Sequence, residues 1–366
     1  MSDDVLVVVG PGVTADPALL AEIAEREFAG AGVSGALVHA QGAAHVRSLV
    51  SDGTVVLPGP RPEVRALMER PLGAVVWVDL ERVDGVTALE GATHLHGRGI
   101  GGLAWGIRHA VHRARHPSRR IAYGPEPEQW GDLYTPGNTA PAVVLIHGGY
   151  WRSIWAADLM EALCADLAGR GLAVWNLEYR RPDLHGWRAT TADIAAGLAA
   201  LGGLGDVVDL GRVAVAGHSA GAQLALRAVA DGARVPPAVS PPASPAVSLP
   251  VSLPVSLVVS LAGVLDLVQG ERRWLSAGAV AAALGESGDA DASPLLRVPV
   301  GVPQLVVQGA GDDLDLVDFG RRYARVAREA GDNVKYLEMV GDHFDVITPS
   351  TPIWQATAHA ITEALT

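Results

Sequence analysis

Gly217-His218-Ser219-Ala220-Gly221 follows an apolar run at residues 213–216 and opens a segment of helical periodicity at 222–229. A serine on so tight a strand-to-helix turn can serve as a nucleophile, and the flanking glycines leave room where a Cβ would not fit. A serine hydroxyl is a weak nucleophile at neutral pH, so a base and an orienting carboxylate must come with it. Two later segments offer both. After an expected strand at 304–308 comes Gly309-Ala310-Gly311-Asp312-Asp313-Leu314-Asp315, and after one at 334–339 comes Gly341-Asp342-His343-Phe344. Both lie just beyond carboxyl ends of strands, where open α/β sheets bind their ligands. The expected catalytic set is Ser219 as nucleophile, His343 as general base and Asp312 as orienting acid. Asp312 is chosen by its spacing from Gly309, with Asp313 as the alternative. Asp315 and Asp318 read as a solvated face.

A second glycine motif, His147-Gly148-Gly149-Tyr150-Trp151, follows an expected strand at 142–146. A glycine pair there lets backbone N–H groups turn inward, where they can hold the oxyanion that develops when serine attacks a carbonyl. The candidate donors are the N–H groups of Gly149, Tyr150 and Ala220. His147, Gly148, Trp151, Trp155, Trp187 and His218 are the candidates for a substrate pocket, although core packing accounts equally well for the aromatic ones. His109, His112 and His116 share a helical face, as metal ligands would. The interleaved Arg108, Arg113 and Arg115 oppose a cation, so no metal and no cofactor is expected.

The elements that must position these residues fall into two series. In residues 1–115, short apolar runs at 5–9, 36–39, 54–57 and 74–80 alternate with helical patterns at 19–29, 62–69 and 102–112, which implies a mostly parallel sheet covered by helices. A basic, proline-containing segment at 113–120 reads as a linker. From residue 121 the alternation restarts with eight expected strands: 121–123, 130–134, 142–146, 173–179, 213–216, 255–262, 304–308 and 334–339. The first two are too close to enclose a helix and read as an antiparallel hairpin leading into a parallel sheet. Residues 235–255, rich in Ser and Pro, cannot continue a helix or a central strand and read as a loop insertion.

The 366 residues are 49% apolar and only 19% charged, enough for a sizeable core in two domains. The formal net charge of −12 argues against nucleic acid or an anionic membrane as partner. No apolar run reaches the ~18 residues of a membrane span. The acidic start, Met-Ser-Asp-Asp, is unlike a signal peptide. The single cysteine, Cys164, cannot form an internal disulfide. These features together lead to the expectation of a cytoplasmic protein.

With these residues in place, the region from about 121 to 366 resembles the kynurenine formamidase and carboxylesterase branch of the α/β hydrolases. The resemblance rests on Ile146-His-Gly-Gly-Tyr-Trp151, Gly217-His-Ser-Ala-Gly-Ala222, Gly263-Val-Leu-Asp266 and Asp342-His-Phe344. It implies an α/β-hydrolase fold with an eight-stranded, mostly parallel sheet and cleavage of a small acyl or formyl group. Residues 3–112 are similar to type II 3-dehydroquinate dehydratases through Val7-Val-Val-Gly-Pro11, Val55-Val-Leu-Pro-Gly59, Ala74-Val-Val-Trp-Val-Asp-Leu80 and Gly99-Ile-Gly-Gly-Leu-Ala-Trp-Gly106. That similarity implies a flavodoxin-like parallel sheet and assembly into homo-oligomers through this domain. The family's tyrosine and arginine loop is missing, Leu57 replaces its asparagine and Asp79 its histidine, so a non-catalytic domain is expected. The leading expectation is a serine hydrolase of small esters with a small-molecule substrate. Arylformamidase is the near alternative, and a peptidase related to prolyl oligopeptidases comes third. A binding or scaffold protein, or a true dehydratase–hydrolase fusion, are the readings of other classes.

Overall fold

A computed structural model describes residues 4–86, 89, 91–234, 253–287 and 290–366. The chain divides into two compact units, Met1–Pro117 and Ser118–Thr366.

The first unit contains β1 (Val5–Val9), α1 (Pro17–Ala31), β2 (Gly35–His39), α2 (Ala43–Leu49), β3 (Val55–Leu57), α3 (Pro62–Arg65), β4 (Val76–Asp79), β5 (Thr93–His96) and α4 (Gly102–Arg115). Its five strands are all parallel, in the order β2-β1-β3-β4-β5. The valines of β1, β3 and β4 are buried on both faces of the sheet, which is why these strands read as continuous apolar runs rather than alternating ones. α1 starts where Asp16 accepts a hydrogen bond from the Leu19 N–H ahead of Pro17, and stops where Gly32 turns left-handed. β5 and α2 have no counterpart in the sequence reading. Thr93-His-Leu-His is too polar to show a strand pattern, and the seven-residue α2 is too short to show a period.

The second unit runs β6 (Arg119–Ala122), β7 (Trp130–Tyr134), β8 (Ala140–Ile146), α5 (Glu161–Gly169), β9 (Ala173–Leu177), α6 (Pro182–His185), α7 (Trp187–Ala200), β10 (Val208–His218) and α8 (Ala220–Arg234). It continues with β11 (Val255–Leu261), α9 (Leu267–Arg272), α10 (Ala279–Leu284), β12 (Gln304–Gly309), α11 (Leu314–Glu329), β13 (Val334–Met339) and α12 (Pro352–Leu365). The eight strands form one sheet in the order β13-β12-β11-β10-β8-β9-β7-β6. β6 and β7 are an antiparallel hairpin, β7 pairs antiparallel with β9, and every other pairing is parallel. Residues 142–146 of β8 and 213–216 of β10 are fully buried in the middle of the sheet.

The division between the units falls inside the basic segment 113–120, after Pro117, but the linker is shorter than that segment: Arg113–Arg115 close α4, where cations suit the helix C-terminus, and Arg119–Arg120 already pair in β6. The Ser/Pro-rich stretch 235–255 lies outside the described residues apart from its last three. No helix among the described residues is long and apolar enough to cross a membrane.

Candidate active site

Ser219 sits between the end of β10 and the start of α8 with a left-handed backbone, φ 55°. A non-glycine residue held there costs on the order of 1–3 kcal/mol and persists only where its surroundings enforce it. Here they do: the Ser219 N–H donates to the Leu261 carbonyl at 2.8 Å, and its own carbonyl accepts from Ala222 and Val264 at 3.1 and 3.2 Å. Two glycines make the close approach of neighbouring segments possible. A Cβ on Gly221 would lie 2.1 Å from the Ile146 carbonyl oxygen, and one on Gly148 would lie 2.6 Å from the His218 carbonyl oxygen and 2.8 Å from Ser219 Cβ. The serine turn and the glycine loop after β8 are therefore pressed together.

That loop is itself strained, with Gly149, Tyr150 and Trp151 in succession at φ 110°, 50° and 57°. The N–H groups of Gly149 and Tyr150 carry no hydrogen bond to a described residue. The Ala220 N–H lies in the first turn of α8, where intrahelical partners are lacking.

His343 stands in the loop after β13. Its Nδ1 is 2.9 Å from Asp312 Oδ2. The same oxygen accepts from Gln308 Nε2 at 2.8 Å, and Asp312 Oδ1 accepts from the Asp313 N–H at 2.7 Å. Asp313 turns away and caps α11, accepting from the Asp315 N–H. Because a carboxylate oxygen accepts, Nδ1 of His343 carries the proton and Nε2 is left with a lone pair. The loops bearing the two residues are tied together where Gly311 N–H donates to the Gly341 carbonyl at 2.8 Å. The His343 ring packs against that of His218, the residue before Ser219, with centroids 4.7 Å apart. Three segments separated in sequence thus converge at the carboxyl ends of β10, β12 and β13, with the β8 loop beside them.

The candidates for a substrate pocket fare differently. Trp151 and Trp187 belong to the hydrophobic core, edge to face at 6.4 Å, and Trp151 Nε1 donates to Gln223 Oε1. Neither presents a wall to a substrate; the apolar surface of both side chains is consumed in packing under the loop. His147 is completely buried. Its Nε2 lies 3.2 Å from Glu178 Oε1, its ring stacks on Tyr179 at 4.4 Å, and its carbonyl accepts from the Tyr179 hydroxyl at 2.8 Å. Gly148 and His218 are buried too. Trp155 and Tyr150 are half-buried, and Trp155 lies directly against Gly149. Burial, followed in size by the nearby charge of Asp313, raises the Tyr150 pKa, so its hydroxyl stays neutral. Phe344, which the sequence offered only as part of the His343 motif and not as a pocket residue, is partly exposed and edge-on to His343.

Glu178 has no place in the sequence analysis. Its carboxylate accepts from the N–H groups of Ala157 and Tyr179 and pairs with Arg181, bracing the β8 loop through His147. Only the run Glu178-Tyr-Arg-Arg181 just after a buried strand hints at it. Of the histidines that share a helical face, His109 Nε2 bonds Thr93 Oγ1, and the His112 ring packs at a tilt against that of His116.

A comparison with curated proteins gives no match. Solved structures similar to this chain include a bacterial heroin esterase, 24% identical, with a TM-score of 0.54 over 68% of this chain and 84% of that one. Esterase LipW from Mycobacterium marinum is 24% identical, with a TM-score of 0.55 over 70% of this chain and 85% of that one. Esterase B from Lactobacillus rhamnosis, as a phosphonate-inhibited form, is 21% identical, with a TM-score of 0.56 over 70% and 91%. At such identities the likeness concerns the fold. Residues 143–347, more than half of the chain, match the family described as the alpha/beta hydrolase fold. The match spans every segment that converges on Ser219, and the chain belongs to the α/β-hydrolase family.

Proposed function

We propose that the chain is a serine hydrolase that cleaves small carboxylic esters through an acyl-enzyme. The observation that carries this reading is the 2.9 Å hydrogen bond from His343 Nδ1 to Asp312, made beside the serine turn. Ser219 Oγ attacks the ester carbonyl and gives its proton to His343 Nε2. Asp312 keeps the imidazole in the right tautomer and stabilises the imidazolium. The N–H groups of Gly149 and Tyr150, from the strained β8 loop, and of Ala220, from the first turn of α8, receive the oxyanion. His343 then protonates the leaving alkoxide, and a water activated by the same histidine releases the acid. Trp155, Tyr150 and Phe344 are the apolar side chains at hand for the substrate. The similar structures named above are esterases, which supports an ester over a formamide, and arylformamidase activity is the second outcome to test.

Labelling by a fluorophosphonate and turnover of p-nitrophenyl acetate, with Ser219→Ala as the blank, test this. The substitution is expected to cost on the order of a millionfold in kcat. A strong preference for N-formylkynurenine over the acetate would make the protein an arylformamidase. An unlabelled Ser219 with no turnover would leave a binding protein.

For the N-terminal unit we infer a non-catalytic, flavodoxin-like module related to the dehydroquinate dehydratases, with a role in assembly. The strand order β2-β1-β3-β4-β5 supports that fold. A cleft of about 290 Å³ at the ends of β1, β3 and β4 is lined by Gly12, Arg65 and Asp79 among others. Asp79 there is engaged by Arg65 and His94 rather than poised as a base. Turnover of dehydroquinate by the full chain would overturn the first part of this reading, and a monomer in sedimentation the second.

A further inference from the structure

His218 touches the serine turn, the β8 loop and the loop carrying His343. It precedes Ser219 in the turn, and its Nδ1 faces the β8 loop so closely that a Cβ on Gly148 would come within 3.1 Å of it. Its Nε2 lies 3.0 Å from the main-chain carbonyl oxygen of His343. A carbonyl only accepts, so Nε2 carries the proton and Nδ1 is bare. Nδ1 is buried and has no hydrogen-bond partner among the described residues. A buried polar atom without a partner costs stability, and at a reaction centre it is an argument that the side chain serves the chemistry rather than the fold.

The hydrogen bond falls where the site needs it. The loop carrying His343 is exposed at its flanks, Val340 at 92% and Phe344 at 42%. Its main-chain bonds to the Asp312 segment, at Ala310–Met339 and Gly311–Gly341, lie before His343 in the chain. Those after it, from the Phe344 and Asp345 N–H groups to Asp342 Oδ1 and from Thr351 Oγ1 to the Asp345 carbonyl, stay within the loop and the start of α12. Asp312 fixes the rotation of the His343 ring, but a hydrogen bond to a ring nitrogen leaves the position of the main chain free. The bond from His218 fixes that position at His343 itself. Burial, then the neighbouring His343, keeps the His218 ring uncharged. It therefore does not repel the imidazolium that forms on His343 during the reaction.

Resting on the hydrolase reading above, we propose that His218 is a positioning residue. Its Nε2–H clamps the His343 carbonyl so that the imidazole of His343 is held at the distance from Ser219 that proton transfer requires. The serine turn thus aligns its own general base.

Two variants test it on the full chain with p-nitrophenyl acetate. His218→Leu fills the space without a donor, and His218→Gln keeps an N–H at a similar reach. A misplacement of about 1 Å at a reacting group costs on the order of a hundredfold, so the leucine variant is expected to lose ~30- to 100-fold in kcat with KM within about twofold. The glutamine variant is expected to recover at least ~tenfold of that loss, with both variants melting at similar temperatures. A leucine variant with kcat within about threefold of the wild type overturns the proposal, because so small a loss is below that of a displaced base. So does a pair of variants whose kcat losses are equal, or simply follow their losses in Tm. A wild-type chain without Ser219-dependent turnover overturns the hydrolase reading instead, and is seen before either variant is made.

Discussion

Replacing Asp312 by Asn removes one charge and reverses one hydrogen-bond direction while conserving shape. In the structure Oδ2 accepts from both His343 Nδ1 and Gln308 Nε2, and Oδ1 accepts from the Asp313 N–H. An asparagine amide cannot satisfy all three donors. With its NH2 in place of Oδ2, it faces the Gln308 amide, and His343 can bond it only by accepting at Nδ1. The imidazole proton then sits on Nε2, pointing at Ser219, and the base is lost. With the amide turned over, the NH2 meets the Asp313 N–H instead. The expected loss is about 10³–10⁴-fold in kcat, as for a triad base held in the wrong tautomer. At 1.36 kcal/mol per decade this is about 4–5.5 kcal/mol of transition-state stabilisation. The misplaced amide should cost only about 1–3 kcal/mol of folding stability. Steady-state hydrolysis of p-nitrophenyl acetate at constant pH, alongside a thermal melt, separates the two effects. Asp313→Asn is the control, because Asp313 caps α11 and does not reach His343. The control should retain kcat within about threefold, since it leaves every bond to the imidazole intact. A kcat for Asp312→Asn within tenfold of the wild type, or an equal loss in the control, would refute the assignment of Asp312 as the residue that orients His343.

Glu178→Ala strips the buried guanidinium of Arg181 of its carboxylate and frees the N–H groups of Ala157 and Tyr179. Breaking such a buried pair costs about 3–5 kcal/mol, or roughly 6–20 °C in Tm for a domain of this size; a melt within about 2 °C of the wild type would count against the brace. The carboxylate of Asp193 is disfavoured by burial, but hydrogen bonds from Arg180 and Gln129 outweigh that and hold its pKa below the ordinary 3.8. A depressed folded-state pKa gives stability that is complete above the ordinary carboxylate range and is lost as pH falls through the folded value. Asp193→Asn should therefore lower Tm at neutral pH and narrow its gap to the wild type below about pH 4. A gap that stays constant from neutral pH to about pH 2.5 would show that the pair is not linked to protonation.

Strand-following motifs were legible in the sequence because each is local. Gly217–Gly221 must be a turn, since its glycines sit where a neighbouring backbone leaves no room for a Cβ, and the apolar run before it must be a buried strand. The same holds for the glycine loop at 147–151 and for the segments carrying Asp312 and His343. The hairpin of β6 and β7 also follows from their separation in the chain. What a local pattern cannot carry is the identity of the partner across a gap of tens of residues. Asp312 and Asp313 are adjacent carboxylates of equal chemistry; which of them reaches His343 depends on the register between β12 and β13 and on Gln308 beneath. Trp151 and Trp187 are as aromatic as Trp155, and only the packing of α7 and α8 under the sheet sends the first two into the core. Glu178 left only the faint trace of its charged run, and the clamp from His218 to the His343 carbonyl left none, because a buried hydrogen bond is made between atoms whose spacing in sequence is arbitrary. The residue types and their order along the chain thus determined the chemistry available, and the tertiary structure decided which groups face one another, because hydrogen bonds and close packing act over ångströms in space rather than over positions in the chain.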